Sequence, residues 1–307
     1  MDVLFPIVVN VIVPVFSLIV LGGFLHRKFH FDMNTLSKLT TYFLFPAVSF
    51  VNIYQSNMGG DIIGSIIGFL LLQSLCLMIL SAGIAKMAGF DRGLSAAFKN
   101  SVVLNNSGNF GLPVSQLVFQ NNPLGLSIQV VVVIFQNLLT YTYGIMNSVS
   151  VNANGTKALR EFLKNPIFYA LLLGLLCNAL AITVPTFLWK PIENSANAFL
   201  AIALITLGAQ SAYLKIKHFS LPLVLSLIGR LLLSPTVALL IILSLGLDGT
   251  LAQALLIASS FPTSRNSALF ALEYNNHPEY AAQAVLLSTL CSSVTVTVVV
   301  YASKLLF

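Results

Sequence analysis

The sequence predicts an all-α integral membrane protein with ten transmembrane helices in a 5+5 inverted repeat, helices 4 and 9 being broken and crossing one another. Three observations predict it. The chain is 57% hydrophobic and 8% charged, with a mean hydropathy of +0.91, whereas soluble domains are about 25% charged. Its apolar residues gather into ten runs near the length that crosses a bilayer. Two of those runs are interrupted, at corresponding places, by polar residues, glycine and proline.

The runs fall at 3–25, 35–54, 62–88, 92–120, 124–149, 166–183, 192–213, 219–246, 250–273 and 279–303. A crossing uses about 20 residues, so 307 residues leave no room for a sizeable soluble domain. The first run, Val3 to Leu25, has no basic stretch before it and is too long for a signal-peptide core, so it reads as a retained helix. Cys76, Cys177 and Cys291 lie far apart inside apolar runs, which suggests packing rather than a disulfide framework or a zinc site. The net charge of +6 sits in short connections, not along one helix face, and gives no reason to expect a nucleic-acid partner.

Lys and Arg set the expected orientation. Eleven of them (Arg27, Lys28, Lys38, Lys86, Arg92, Lys99, Lys157, Arg160, Lys164, Lys215 and Lys217) follow runs one, three, five and seven, against Lys190 and Lys304 on the other side. The positive-inside rule then places the odd-numbered connections in the cytoplasm of a plasma (inner) membrane protein and both termini outside. Residues 1–150 form the first repeat, 151–165 a cytoplasmic linker with an amphipathic stretch from Lys157 to Lys164, and 166–307 the second repeat. Phe119-Gln-Asn-Asn-Pro123 and Tyr274-Asn-Asn-His-Pro278 precede the last run of each half. That offset lays Asn105-Asn-Ser-Gly-Asn109 on Ser260-Phe-Pro-Thr-Ser264. Five runs per half, an odd number, insert the two copies with opposite topology, as in many secondary transporters.

The chemistry concentrates in the two interrupted runs. Gly108, Gly111, Pro113 and Pro262 can break the helices, leaving backbone groups for protein, water or substrate to satisfy. Asn105, Asn106, Ser107, Asn109, Thr263, Ser264 and Asn266 are candidate donors there, and helix N-termini at such a break favour a carboxylate. The same small polar residues could instead glue helices together. Arg265 lies deep in run nine and no Asp or Glu lies mid-run, so it is read as the counter-charge of an anionic substrate, with snorkelling to the headgroups as the alternative. Arg230, in run eight near Pro235, is a secondary candidate for the same role, with packing or snorkelling as its alternative. The missing mid-run carboxylate weakens a proton relay or a carboxylate-bound sodium site, and the coupling ion, H+ or Na+, stays open. Gly64-Ser-Ile-Ile-Gly68 reads as a close helix-packing motif, with a homodimer as a second use. His26, His30, His218 and His277 lie in connections without metal-ligand spacing. No cofactor, metal or enzymatic nucleophile is expected.

At Asn105-Asn-Ser-Gly-Asn-Phe-Gly-Leu-Pro113, at Pro262 with the helix through Glu273-Tyr-Asn-Asn-His-Pro278, and at Leu207-Gly-Ala-Gln210, the chain resembles the auxin efflux carrier family, which includes bacterial malonate and malate permeases. The resemblance implies a scaffold of spans 1, 2, 6 and 7 and a transport core of spans 3–5 and 8–10. It also implies that Asn106 contacts substrate at the break and that Pro262 is the crossover proline. Plant members have proline where this chain has Asn105, and lack an arginine resembling Arg265, so a small charged carboxylate is favoured over auxin. The expected function is alternating-access permeation of a malate- or malonate-like organic anion, with an anion channel or an auxin-like weak-acid efflux carrier as alternatives.

Overall fold

The computed structural model describes residues 4–55, 60–148, 166–213 and 219–307. The amphipathic stretch 157–164 and Lys215 and Lys217 lie outside the described residues. Among the described residues all regular structure is helical, apart from one isolated antiparallel pair, Asn105 with Thr263. Six helices are long and apolar enough to cross a membrane: α1 (Leu4–Phe29), α3 (Gly60–Met87), α6 (Pro123–Ser148), α8 (Thr186–Ser211), α9 (Leu221–Ser244) and α12 (Pro278–Leu306). Between them lie α2 (33–54), α4 (Arg92–Val103), α5 (107–118), α7 (Pro166–Ala179), α10 (Gly249–Ser259) and α11 (Arg265–Glu273). Phe5, Phe24, Leu75, Ile79, Leu240, Val294 and Val298 are among many large apolar side chains left exposed, an arrangement that only lipid solvates well.

The helix ends follow local chemistry. Asp32, Asp91 and Asp248 each cap a helix start, their carboxylates accepting from the N–H groups of Asn34, Leu94 and Gly249 at 3.0, 2.9 and 2.7 Å, where the helix dipole also favours negative charge. α7 stops four residues short of the predicted run because Ala181 takes a left-handed φ of 50°. α8 starts six residues earlier than predicted: its polar first turns, with Lys190, Pro191 and Glu193, are helical although no apolar run marks them.

Of the five π-helical turns among the described residues, four, Val8–Ile12, Thr40–Leu44, Ser107–Gly111 and Gly229–Leu233, each precede a proline by two residues, Pro14, Pro46, Pro113 and Pro235, and the fifth, Thr140–Gly144, has none at that distance. Proline cannot donate to the carbonyl four residues back and its ring collides with that carbonyl; one wider turn removes the collision.

The chain divides into two compact units. The first comprises Met1–Ile63, Gly108–Ile134 and Leu163–Tyr213, and the second Gly64–Ser107, Phe135–Phe162 and Leu214–Phe307. In the first, α1 and α8 pack backbone against backbone. A Cβ built on Gly22 would lie 2.1 Å from the Ile205 carbonyl oxygen, and one on Gly208 would lie 1.8 Å from that of Ile19, so neither contact tolerates a side chain. Beside them Phe45, Val48, Val51, Leu112, Val133 and Phe199 form the core, with the Phe45 and Phe199 ring centroids 4.6 Å apart. In the second, Phe98 and Val102 of α4 pack with Ala85, Leu225 and Tyr280. The Gly64 and Gly68 positions have nothing within 4 Å of a built Cβ. Against expectation, that motif does not pack a helix of the described chain, because α3 turns its Leu70, Gln73 and Leu77 face inward instead.

Candidate functional site

The site is built where two helices stop. α4 ends at Val103, Leu104 turns extended (φ −87°, ψ 118°), and the chain resumes helix at Ser107. α10 ends at Ser259 and the chain resumes at Arg265, with Ser264 extended (φ −63°, ψ 136°). The two gaps satisfy one another. The Asn106 N–H donates to the Pro262 carbonyl and the Ser264 N–H to the Leu104 carbonyl, both at 2.8 Å, flanking the Asn105–Thr263 pair. Pro262 suits its place because it offers an acceptor and needs no donor partner. Every residue from Leu104 to Ser107 and from Ser260 to Ser264 is buried.

The pairing uses some predicted donors and spares others. Thr263 is committed to protein: its Oγ1 donates to the Ser101 carbonyl at 2.8 Å and its N–H to Ser288 Oγ at 3.0 Å. Asn105 Nδ2 donates to the Ala258 carbonyl at 3.2 Å, which leaves Asn105 Oδ1, an acceptor, buried without a partner. Ser264 caps α11, its Oγ accepting from the Asn266 N–H at 3.3 Å. As Arg230 does at Nε, Asn106 keeps a free donor. Its side chain is 6% exposed and its Nδ2 has no hydrogen-bond partner, an arrangement that costs about 1–3 kcal/mol unless something fills it. Arg265 and Asn266 open α11 and are half-buried, so a cation and an amide stand at the positive end of a helix dipole. Ser107 is buried beside Asn106. Gly108, Asn109, Gly111 and Pro113 belong to the first unit, where a Cβ on Gly108 would meet the Phe45 ring at 2.7 Å and Phe110 lies edge-on to Phe16 at 6.3 Å.

Arg230, the secondary candidate, lies against the ends of two helices. It is 1% exposed, in the π turn of α9. Its Nη1 donates to the carbonyls of Val102 at 2.8 Å and Val103 at 3.4 Å, and its Nη2 to the Ser259 carbonyl at 2.5 Å and to Ser234 Oγ. Ser234 Oγ in turn donates to the Ser259 carbonyl at 2.9 Å. Those carbonyls are the last of α4 and α10, the orphan acceptors that any helix end leaves. Sequence reasoning also passed over Asn100. Its Nδ2 donates to the Gly144 carbonyl and to Ser148 Oγ, both at 2.9 Å, and its Oδ1 accepts from Asn147 at 3.2 Å, holding α4 against the end of α6. A buried Asn one turn before a break was its only signal.

Helix breaks that pair at buried polar residues are an arrangement found in many secondary transporters. Residues 7–300 match the family described as membrane transport protein, and the chain belongs to that family, that of the auxin efflux carriers. It is 23% identical over 271 residues to an uncharacterized transporter of Methanothermobacter thermautotrophicus, covering 86% of this chain and 87% of that one. Over 137 residues it is 30% identical to auxin efflux carrier component 3a of Oryza sativa subsp. japonica, covering 43% of this chain and 22% of the rice protein.

Proposed function

We propose that this chain is a secondary transporter for small organic anions, of the malate or malonate type, which binds its substrate at the paired breaks and works by alternating access. The reading includes ten spans in a 5+5 inverted repeat, with spans 1, 2, 6 and 7 as scaffold and 3–5 and 8–10 as transport core. It also places the protein in a plasma membrane with both termini extracytoplasmic. The observation that carries it is the buried, unpartnered Nδ2 of Asn106 next to a main-chain pairing of two helix breaks, because an orphan donor in a membrane protein is a standing place for an acceptor such as a carboxylate oxygen. Arg265 at the N-terminus of α11 supplies the positive charge that selects an anion. Asn105, Ser107, Ser264 and Asn266, of the same unit, complete the polar surroundings.

The rice relative's name points to auxin, also a carboxylic acid, so indole-acetate belongs in the test. Uptake of radiolabelled malate, malonate and indole-acetate into proteoliposomes should show one acid entering saturably, with counterflow when the lumen is preloaded. Asn106→Ala and Arg265→Ala should each lose that uptake while remaining folded. Flux without saturation or counterflow would replace the carrier with an anion channel.

A further inference from the structure

We infer that Arg230 is a positioning residue: it is a buried cation that holds the ends of α4 and α10 together, so that the two breaks keep their pairing and move as one body. The charges match. A helix C-terminus behaves as about half a negative charge; two of them, α4 ending at Val103 and α10 ending at Ser259, converge on one guanidinium. The geometry needs a guanidinium rather than an ammonium, since Nη1 serves α4 and Nη2 serves α10 through a planar fork. Ser234, four residues on, tightens the α10 side by bonding both Arg230 and the Ser259 carbonyl. Nη1 and Nη2 are thus engaged with the protein's own fold, and the buried Nε has no partner among the described residues. Asn105, three residues past Val102, reaches the neighbouring Ala258 carbonyl, so the same two helix ends are tied twice.

The inference rests on the carrier reading only for its kinetic arm. The primary measurement needs no substrate: amide hydrogen exchange of the full-length protein in lipid nanodiscs, followed in peptides spanning 102–107 and 259–265, which contain the Asn106 and Ser264 N–H groups. Arg230→Met should accelerate exchange in both peptides at least tenfold and leave peptides of α8 unchanged. Arg230→Lys should fall between Arg230→Met and wild type, and millimolar guanidinium should slow exchange again in Arg230→Ala. If Arg230→Met does not fold, Ser234→Ala should still give a two- to fivefold acceleration confined to the same two peptides. Unchanged exchange at the breaks in a folded variant, or an equal acceleration everywhere, would overturn the inference. In proteoliposomes Arg230→Lys should lower the maximal rate at least tenfold with KM within twofold of wild type. A raised KM at unchanged maximal rate would place Arg230 on the substrate and overturn it as well. A wild type that carries none of the acids would refute the transport reading and leave the exchange result standing.

Discussion

Asn105 and Thr263 face each other as an antiparallel pair in an otherwise helical protein, although 158 positions separate them in the sequence. The pair disposes of the backbone groups that two interrupted helices would leave bare, at the two 2.8 Å bonds on either side. In a bilayer such groups find no water, so a break must be paired, buried in protein or used by a ligand. Here main-chain groups of the two gaps pair with one another, and Asn106 Nδ2, Asn105 Oδ1 and Arg230 Nε are the side-chain atoms there left without partners.

From this follows a separation of stability from function. Asn106→Ala removes a donor that already lacks a partner, so thermal unfolding should be unchanged or stabilised by up to about 1 kcal/mol, while uptake of the transported acid falls at least tenfold. Asn100→Ala, which breaks three hydrogen bonds between α4 and the end of α6, should instead cost about 1–3 kcal/mol. Equal destabilisation of the two variants in a melting assay would refute the distinction.

The helix pair α1–α8 makes a second prediction. Gly208→Ala drives a methyl to 1.8 Å from the Ile19 carbonyl oxygen and Gly22→Ala to 2.1 Å from that of Ile205, so the backbones must separate, at a cost of about 1–3 kcal/mol or more for each. Gly64→Ala meets nothing within 4 Å and should leave the melting temperature of the detergent-solubilised monomer unchanged or slightly raised.

Asp91 gives the pH dependence. Its carboxyl is held below the usual carboxylate range first by the Leu94 N–H it caps and then by His277, whose Nε2 lies 3.1 Å away. A depressed carboxylate pKa means that the unfolded chain takes up the proton first as pH falls. The stabilisation is therefore complete above the ordinary Asp value of about 3.9 and is lost on descending through the lower folded-state value. Asp91→Ala should cost about 1 kcal/mol at neutral pH and should flatten the acid limb of the stability profile. An acid limb identical to that of wild type would show that Asp91 does not carry it.

How much of this was legible beforehand depends on the range of the interaction. The apolar runs and the polar, Gly/Pro-bearing stretches are local signals that mark the helices and the two interrupted stretches, although Gly108, Gly111 and Pro113, expected to break the helix, lie in the helical turns that follow the gap at 104–106. The π turns before Pro14, Pro46, Pro113 and Pro235 have a local cause too, but proline is neither necessary nor sufficient, since Thr140–Gly144 has no proline two residues after it and Pro191 sits in a helix without a π turn. Arg230 is the opposite case. Its partners Val102 and Ser259 are 128 and 29 residues away, so composition marks it as a buried cation and nothing nearby says which acceptors it meets. The partners of Thr263, one of the candidate donors, were hidden for the same reason, since Ser101 and Ser288 come from other helices. The open face of Gly64 and Gly68 shows the reverse error, a local motif with no partner in the described chain.

Arg265 offers the most discriminating functional test. It is the first residue of α11, next to the capping Ser264, so its charge and the helix dipole add at one point rather than cancel. An anionic substrate bound there gains from both, and removing the side chain leaves only the dipole. Arg265→Ala should therefore raise KM for the transported acid by about 100-fold or abolish uptake, in line with the loss of a charge-assisted hydrogen bond. Arg265→Lys keeps the charge but loses the planar fork that grips a carboxylate through two parallel bonds, and should raise KM about tenfold with little change in maximal rate. Because a guanidinium stays protonated throughout the working pH range, the pH profile of wild-type uptake should follow the ionisation of the substrate, shifting when a monocarboxylate replaces a dicarboxylate. If Arg265→Ala transports with wild-type KM, Arg265 has a structural role and the anion is selected by the helix end and Asn106 alone.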